Sequence, residues 1–239
     1  MKGESVMGPG KVIGALLAGG KSQRMGRHKA GAPWVGGLRL ADAALAALEE
    51  VCDAVVVLGH GDGLEHRPEL LRIADMRVDA GPLAGVEALL ASGLAERYLV
   101  CPCDMPFVST SLLHALLRES GAVAIVRRSD DRTEPFPIAL NASLAQSLNA
   151  YLVQGGRSVH GFLDTVAKTT VSAISDPERA LLNINTPSDL EGAMFAAAQS
   201  HAVVRTGWDL DAADPAMIDF AVSKWQGGKV ATKAEPVPA

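Results

Sequence analysis

The sequence is 239 residues long, with 48% hydrophobic and 4% aromatic residues and a formal net charge of -5. The acidic balance argues against a general binder of nucleic acid or of an anionic membrane surface, and the few aromatic side chains argue against stacking platforms for single strands. Three cysteines are too few for a disulfide framework and indicate a reducing, cytoplasmic setting. No apolar run reaches the length of a transmembrane helix, and we interpret the short run at residues 12–18 as a strand rather than a signal peptide.

Apolar runs alternate with helical patterns along the chain, which is typical of an α/β fold. We predict strands at residues 12–17, 54–58, 72–78, 97–101 and 123–126, with a further extended stretch at 136–140. Helices are predicted at residues 38–50, 85–91, 111–120, 144–152, 158–166 and 187–199. This order predicts a Rossmann-like, mostly parallel sheet with helices on both faces.

The chain divides into three parts in this interpretation. Residues 1–10 form a flexible tail, residues 11–200 form one domain, and residues 201–239 form an extension with one short helix at 214–225 and a disordered end. The helix before the extension has a clear start, because Thr186 can act as its N-cap and Pro187 suits its first position.

The first motif with chemical character is LAGGKSQRMGRHK at residues 17–29, which follows the first predicted strand. Gly19 and Gly20 let the backbone turn sharply, and Arg24 and Lys29 bring positive charge to the loop. A strand, a glycine-rich turn and paired cations predict a polyphosphate site. A P-loop is not favoured, because that motif needs glycine where the chain has Ala15. A plain turn would explain the glycines but not the concentration of cations.

The second motif, DAGPLAGV at residues 79–86, begins with an acid at the end of a predicted strand. Ligands of open α/β sheets lie at the carboxyl ends of the strands, so Asp79 is a candidate binding residue. Gly81 and Gly85 would let a ligand approach the backbone closely. The alternative is a tight turn with a solvated carboxylate.

The third motif, CPCDMPFV at residues 101–108, ends another buried strand. Asp104 at such a carboxyl end can hold Mg²⁺, which prefers hard oxygen ligands together with phosphate oxygens. The alternative for Asp104 is a simple turn residue. Cys101 and Cys103 lack a second pair of soft ligands at usable spacing, so we interpret them as buried cysteines and not as a metal site.

The fourth motif, LNINTP at residues 182–187, has two amides at alternate positions. A strand end followed by a helix cap explains Thr186 but not why Asn183 and Asn185 would share one face. Further upstream, the stretch GGRS at residues 155–158 precedes a predicted helix, whose N-terminus favours phosphate.

Together these motifs resemble, in order, those of the MobA-like nucleotidyltransferases, and most closely those of the molybdenum cofactor guanylyltransferases. The matching family patterns are LAGGxSxRMGxxK, DxGPLAG, CDxP and NxNTP. The resemblance implies a nucleotidyltransferase fold, Mg²⁺ as cofactor, and transfer of GMP from GTP to the terminal phosphate of molybdenum-bound molybdopterin with release of pyrophosphate. It also implies molybdoenzyme chaperones or cofactor-synthesis proteins as partners.

The resemblance further implies a role for each matching residue. It assigns catalysis to Arg24, Lys29 and Asp104, with Asp104 also the metal ligand. It assigns nucleotide binding to Leu17, Ala18, Gly19, Gly20, Lys29, Asp79, Gly81, Gly85 and Asp104. It assigns the molybdopterin substrate to Arg157, Asn183 and Asn185.

The chain departs from the family pattern at two places. His28 stands where the family usually has Asp, and Leu58 with Gly59 and His60 stands where an Asn often follows the second strand. Two alternatives therefore stay open. One is a transferase for another nucleotide, such as a molybdenum cofactor cytidylyltransferase. The other is a non-catalytic nucleotide-binding or partner-docking protein.

Overall fold

A computed structural model describes residues 10–19, 28–172 and 177–204 of the chain. Its strands are Val12–Leu17 (β1), Ala54–Leu58 (β2), Leu71–Ile73 (β3), Arg97–Pro102 (β4), Val123–Arg127 (β5), Thr133–Asn141 (β6) and Thr169–Ser172 (β7). Its α-helices are Leu40–Val51 (α1), Pro82–Ala91 (α2), Thr110–Arg118 (α3), Ala145–Val153 (α4), Val159–Leu163 (α5), Pro177–Ala180 (α6) and Pro187–Val204 (α7).

The strands form one sheet in the order β3-β2-β1-β4-β6-β5-β7. β1 pairs in parallel with β2 on one side and β4 on the other, while β6 runs antiparallel between β4 and β5. The predicted mostly parallel sheet is confirmed. The strand order reverses at β1, so the carboxyl ends of β1 and β4 flank the crevice in which such sheets bind their ligands.

Helices cover both faces of the sheet, as predicted, because the strands are apolar on both sides. In β1, Leu16 belongs to one core cluster with Leu45 of α1 and Leu112 of α3. Its neighbour Ala15 belongs to the opposite cluster with Leu89 of α2. This alternation follows the two-residue period of a strand and fixes which helix packs on which face.

The strand predicted at residues 72–78 is shorter than predicted and begins one residue earlier, at Leu71. β3 ends at Ile73, and the chain then turns so that Val78 is 88% exposed. α2 begins at Pro82, three residues earlier than predicted, because proline is favoured in the first helical turn and Gly81 adopts a φ of 60° before it.

Other boundaries also differ from the predictions. β7 and α6 were not predicted, because each has only four residues. β6 is longer than the predicted stretch at 136–140, since Pro135 and Pro137 conceal its strand pattern. α7 continues to Val204, across the predicted domain boundary at residue 200.

The predicted helix at 214–225 lies outside the described residues, as does nearly all of the predicted tail. None of the helices in the described part of the chain has the length and apolar character that a membrane crossing requires.

Candidate active site

A cleft of about 200 Å³ lies at the carboxyl ends of β1 and β4. Both strands end in the polar segments that the sequence singles out, so backbone and side-chain polar groups meet there. The residues that line the cleft are Leu17, Ala18, Gly19, His28, Lys29, Ala30, Asp62, Pro102, Cys103 and Asp104. This is the position in which open α/β sheets bind their ligands.

Lys29 joins two motifs at the cleft that are far apart in sequence. Its ammonium nitrogen donates to Asp104 Oδ2 at 3.0 Å and to Asn185 Oδ1 at 2.7 Å. The Lys29 and Asp104 side chains are each 17% exposed, so this ion pair is more shielded from solvent than a surface salt bridge. The Asp104 carboxylate and the Asn185 amide therefore both contact the same positive charge, that of Lys29.

Two backbone hydrogen bonds fix Asp104 in the cleft. The amide of Cys103 donates to the carbonyl of Leu17 at 3.0 Å, which ties the segment after β4 to the end of β1. The carbonyl of Asp104 accepts from the amide of Ile184 at 2.9 Å, which brings the segment before α7 to the same place. Asp104 thus has a fixed position relative to both β1 and the fourth motif.

The fourth motif is a cap and not a strand. Asp189 Oδ2 accepts from the amides of Asn185 and Thr186, and Thr186 Oγ1 accepts from the amide of Asp189. These bonds confirm Thr186 as the N-cap and satisfy amides that α7 leaves free at its start. The same bonds lower the pKa of the Asp189 carboxyl below its usual value. The cap directs Asn185 to Lys29, whereas Asn183 donates to the carbonyl of Leu181.

The two cysteines of the third motif are buried, as predicted. Burial raises the pKa of the Cys103 thiol to about 12, and the nearby Asp104 charge acts in the same direction. Burial also raises the pKa of Cys101. Both thiols are neutral at physiological pH, so neither has the thiolate character of a nucleophile or metal ligand.

A model of the MobA-like NTP transferase domain matches residues 14–169, which is more than half of the chain. The chain belongs to the MobA-like NTP transferase family. The identification confirms the resemblance on which the sequence interpretation rests, and it makes the chain a nucleotidyltransferase.

Individual MobA-like proteins agree with this assignment. The molybdenum cofactor guanylyltransferase of Xanthomonas euvesicatoria is 32% identical over 177 residues, which cover 73% of this chain and 89% of that protein. The probable molybdenum cofactor guanylyltransferase of Pelotomaculum thermopropionicum is 30% identical over 203 residues, which cover 82% and 97%.

Solved structures of the same class share the fold. Molybdopterin-guanine dinucleotide biosynthesis protein A from Archaeoglobus fulgidus superposes with a TM-score of 0.67 at 24% identity, over 78% of this chain and 99% of that one. A nucleotidyl transferase from Methanothermobacter gives a TM-score of 0.65 at 22% identity, over 80% and 99%.

The sequence-predicted residues of this MobA-like transferase fall into three groups: those at the cleft, those outside the described residues, and those that the structure places elsewhere. Leu17, Ala18, Gly19, Lys29 and Asp104 line the cleft, and Asn185 reaches it through Lys29. Gly20 and Arg24 lie outside the described residues.

Asp79 and Gly85 do not line the cleft. Asp79 is exposed, with a φ of 55°, in the loop that follows β3 and not at the end of that strand. Gly85 is buried, and a Cβ atom there would lie 3.0 Å from Leu58 Cβ and 3.2 Å from Asp75 Oδ1. Close packing of α2 on β2 therefore explains this glycine without a ligand. Gly81 has open space around it.

Arg157 does not line the cleft in the structure either. Its guanidinium Nη1 donates to the carbonyls of Leu152 at 2.9 Å and Gly156 at 2.6 Å. These bonds cap the C-terminal end of α4, which is a local structural role for Arg157. Its role in binding the molybdopterin substrate stays a prediction.

Two polar residues of the cleft, His28 and Asp62, were not predicted as site residues. Asp75, which was not predicted either, follows the true end of β3 and does not line the cleft. Burial raises the pKa of the Asp75 carboxyl. The signal for Asp62 was present in the sequence, as an acid in the glycine-rich loop GHGDG at residues 59–63 after β2.

Proposed function

We propose that the protein transfers GMP from GTP to the terminal phosphate of molybdopterin-bound molybdenum, with release of pyrophosphate. The contact of Lys29 with both Asp104 and Asn185 carries this proposal, because it joins the implied nucleotide motif and the implied acceptor motif at one cleft. The names of the relatives from Xanthomonas and Pelotomaculum support the choice of substrates.

The residues of the cleft fit a Mg²⁺ ion held by Asp104. One carboxylate oxygen of Asp104 accepts from Lys29, and the other accepts no hydrogen bond from the residues that the structure describes. Within the described ranges no three His, Cys, Asp or Glu side chains form a ligand cluster. A single carboxylate completed by substrate phosphates and water is the arrangement that Mg²⁺ uses in phosphoryl-transfer sites. When bound there, the ion supplies charge neutralisation at the reacting phosphate.

The reaction exchanges one phosphorus–oxygen bond for another. An oxygen of the acceptor phosphate bonds to the α-phosphorus of GTP while the bond from that phosphorus to the bridging oxygen of the β-phosphate breaks, and the electron pair leaves with pyrophosphate. Catalysis of this kind depends on positioning and on charge stabilisation and needs no covalent nucleophile. The Lys29 ammonium stabilises the negative charge that develops in the transition state.

The backbone after β1 offers the nucleotide a surface without bulky side chains. Ala18 donates its amide to the carbonyl of Leu58 at 3.3 Å, and the backbone of Gly19 approaches that of Gly59. We infer that the ribose and base lie along residues 17–19, with the triphosphate directed to Lys29. Asn185, fixed by the α7 cap, would hold the acceptor beside the α-phosphate, with Asn183 and Arg157 as the other implied acceptor residues.

A nucleotide screen tests the proposal. Pyrophosphate release is measured with GTP, CTP, ATP or UTP, each with Mg²⁺ and molybdenum-loaded molybdopterin. Release with GTP alone is the expected result. Release with CTP alone would support the same mechanism with cytosine in place of guanine. CTP is included because Leu58, an apolar residue that is 1% exposed, stands at the end of β2, where the chain departs from the family pattern. Release with none of the four would contradict the proposal.

A further inference from the structure

The side chains of His28 and Asp62 face each other at the solvent-exposed end of the cleft. His28 Nδ1 lies 3.6 Å from Asp62 Oδ2, which is an ion-pair distance and too long for a hydrogen bond. The two side chains are 58% and 53% exposed, against 17% for Lys29 and Asp104 at the inner end. All four residues line the same cleft. A ligand that extends outwards from Lys29 and Asp104 can therefore reach His28 and Asp62.

The loop that carries Asp62 is fixed against the turn that carries Lys29. Gly63 adopts a φ of 87°, and a Cβ atom there would lie 2.5 Å from the backbone nitrogen of Gly31. Arg72 holds the same loop by donating to the carbonyl of Leu64 at 2.9 Å. Backbone packing therefore fixes the position of the loop that carries Asp62 relative to the turn that carries Lys29, next to His28. A fixed backbone reduces the free-energy cost of ordering the two side chains around a ligand.

The distribution of charge in the cleft indicates a role for His28. Lys29 and Asp104, with the Mg²⁺ proposed there, lie at the inner end of the cleft. A triphosphate that extends to the outer end brings negative charge there as well, where His28 lies. Among the residues that the structure describes, Asp62 and Glu65 on the loop after β2 face His28, and Lys29 follows it in the chain. The imidazole of His28 can donate a hydrogen bond to a phosphate oxygen at this end of the cleft.

We propose that His28, positioned by Asp62, binds the β- and γ-phosphates of the nucleotide and stabilises pyrophosphate as it leaves. The inner end of the cleft, with Asp104 and Asn185, takes the α-phosphate and the acceptor, so the outer end is left for the outer phosphates. This inference rests on the proposed nucleotidyl transfer but does not depend on which base is used. His28 is the binding residue, and Asp62 is a positioning residue that acts through it.

A comparison of ligands that differ only in phosphate number tests the proposal. Binding of GTP with Mg²⁺, of pyrophosphate with Mg²⁺ and of GMP is measured by calorimetry for the wild type, His28→Gln and His28→Arg. We expect His28→Gln to weaken GTP and pyrophosphate binding about tenfold, the size of a lost charge-assisted hydrogen bond, and to leave GMP binding unchanged. His28→Arg should restore the binding of both phosphate ligands.

An Asp62 variant tests the positioning role. Asp62→Asn removes the carboxylate charge that lies 3.6 Å from His28 Nδ1. It should weaken the binding of GTP and of pyrophosphate, less than His28→Gln does, and leave GMP binding unchanged, whereas a merely structural role would weaken all three ligands alike.

His114→Gln is the matched control, because His114 is exposed on α3 and does not line the cleft. It should bind all three ligands as the wild type does. Wild-type affinity for GTP in His28→Gln, or an equal loss for GTP and GMP, would overturn the inference. The proposed function fails separately, through the wild-type nucleotide screen, and if that screen selects another base the same phosphate series is measured with that nucleotide.

Discussion

The ammonium of Lys29 lies 3.0 Å from the carboxylate of Asp104, although 75 positions separate the two residues. The pair closes the inner end of the cleft and connects the loop after β1 to the end of β4. Its partial burial makes it a fixed element of the site, because both charges retain only limited access to water. A change to either residue should therefore impair catalysis, and a substitution that keeps the shape of the side chain is needed to limit the effect on folding.

Asp104→Asn should reduce turnover by about 10³-fold, since it removes the proposed metal ligand and the charge that orients Lys29. The amide keeps the shape of the carboxylate, so thermal unfolding should stay close to that of the wild type. Steady-state kinetics and a melting curve on the same preparation measure both. A variant that retains more than about a tenth of the turnover would show that Asp104 does not hold the metal.

Asn185→Ala should raise the KM for the molybdopterin substrate about tenfold, because we assign this side chain to that substrate and its Oδ1 accepts a hydrogen bond from Lys29 in the cleft. The affinity for GTP should change much less. Asn149→Ala, an exposed asparagine on α4, is the matched control and should leave both constants unchanged. A selective loss of GTP affinity in Asn185→Ala would instead place this residue on the nucleotide.

Gly85→Ala should destabilise the fold by about 1–2 kcal/mol, because the new Cβ would press on Leu58 and Asp75 between α2 and β2. Gly192→Ala provides the opposite case. That glycine is exposed in α7 with open space around it, so alanine should stabilise by about 0.5–1 kcal/mol. Chemical denaturation measures both values. Equal effects at the two positions would contradict the packing explanation for Gly85.

The cysteine thiols should make the folded protein less stable at high pH. Burial raises the pKa of Cys52 and of Cys103 from 9.0 to about 12. Thiols of the unfolded chain ionise from about pH 9, so the stabilisation is fully present below that pH and is lost as the pH rises from about 9 to 12. Denaturation at pH 7, 9 and 10.5 measures the trend. The Cys103→Ser variant should lose less stability as the pH rises. An unchanged dependence of stability on pH in that variant would contradict the raised pKa of Cys103.

The sequence predicts the central sheet well because its strands are apolar and short turns separate them. β1 and β2 have the predicted bounds, and their burial on both faces leaves little choice of register. Prediction fails at β3, an edge strand of three residues, where Met76 and Val78 alternate with polar residues and suggest a longer strand than the chain forms. Since the packing of an edge depends on tertiary contacts, local pattern alone could not locate its end.

The residues of the site could also be predicted only in part. Asp104 and Lys29 were predicted because each lies in a local motif with recognisable chemistry. Their direct contact, and that of Lys29 with Asn185, could not be predicted, because it depends on the packing of segments 156 positions apart. Gly85 was interpreted as a ligand contact because sequence does not distinguish a glycine needed for helix packing from one needed for a ligand.

The most direct test of nucleotidyl transfer at this cleft follows GTP labelled at the α-phosphate in the presence of Mg²⁺ and molybdenum-loaded molybdopterin. The account predicts that the label appears in the molybdopterin product, that pyrophosphate is released in equal amount, and that Asp104→Asn slows both by about 10³-fold. Label that appears only in free GMP, or transfer by Asp104→Asn at more than about a tenth of the wild-type rate, would contradict it.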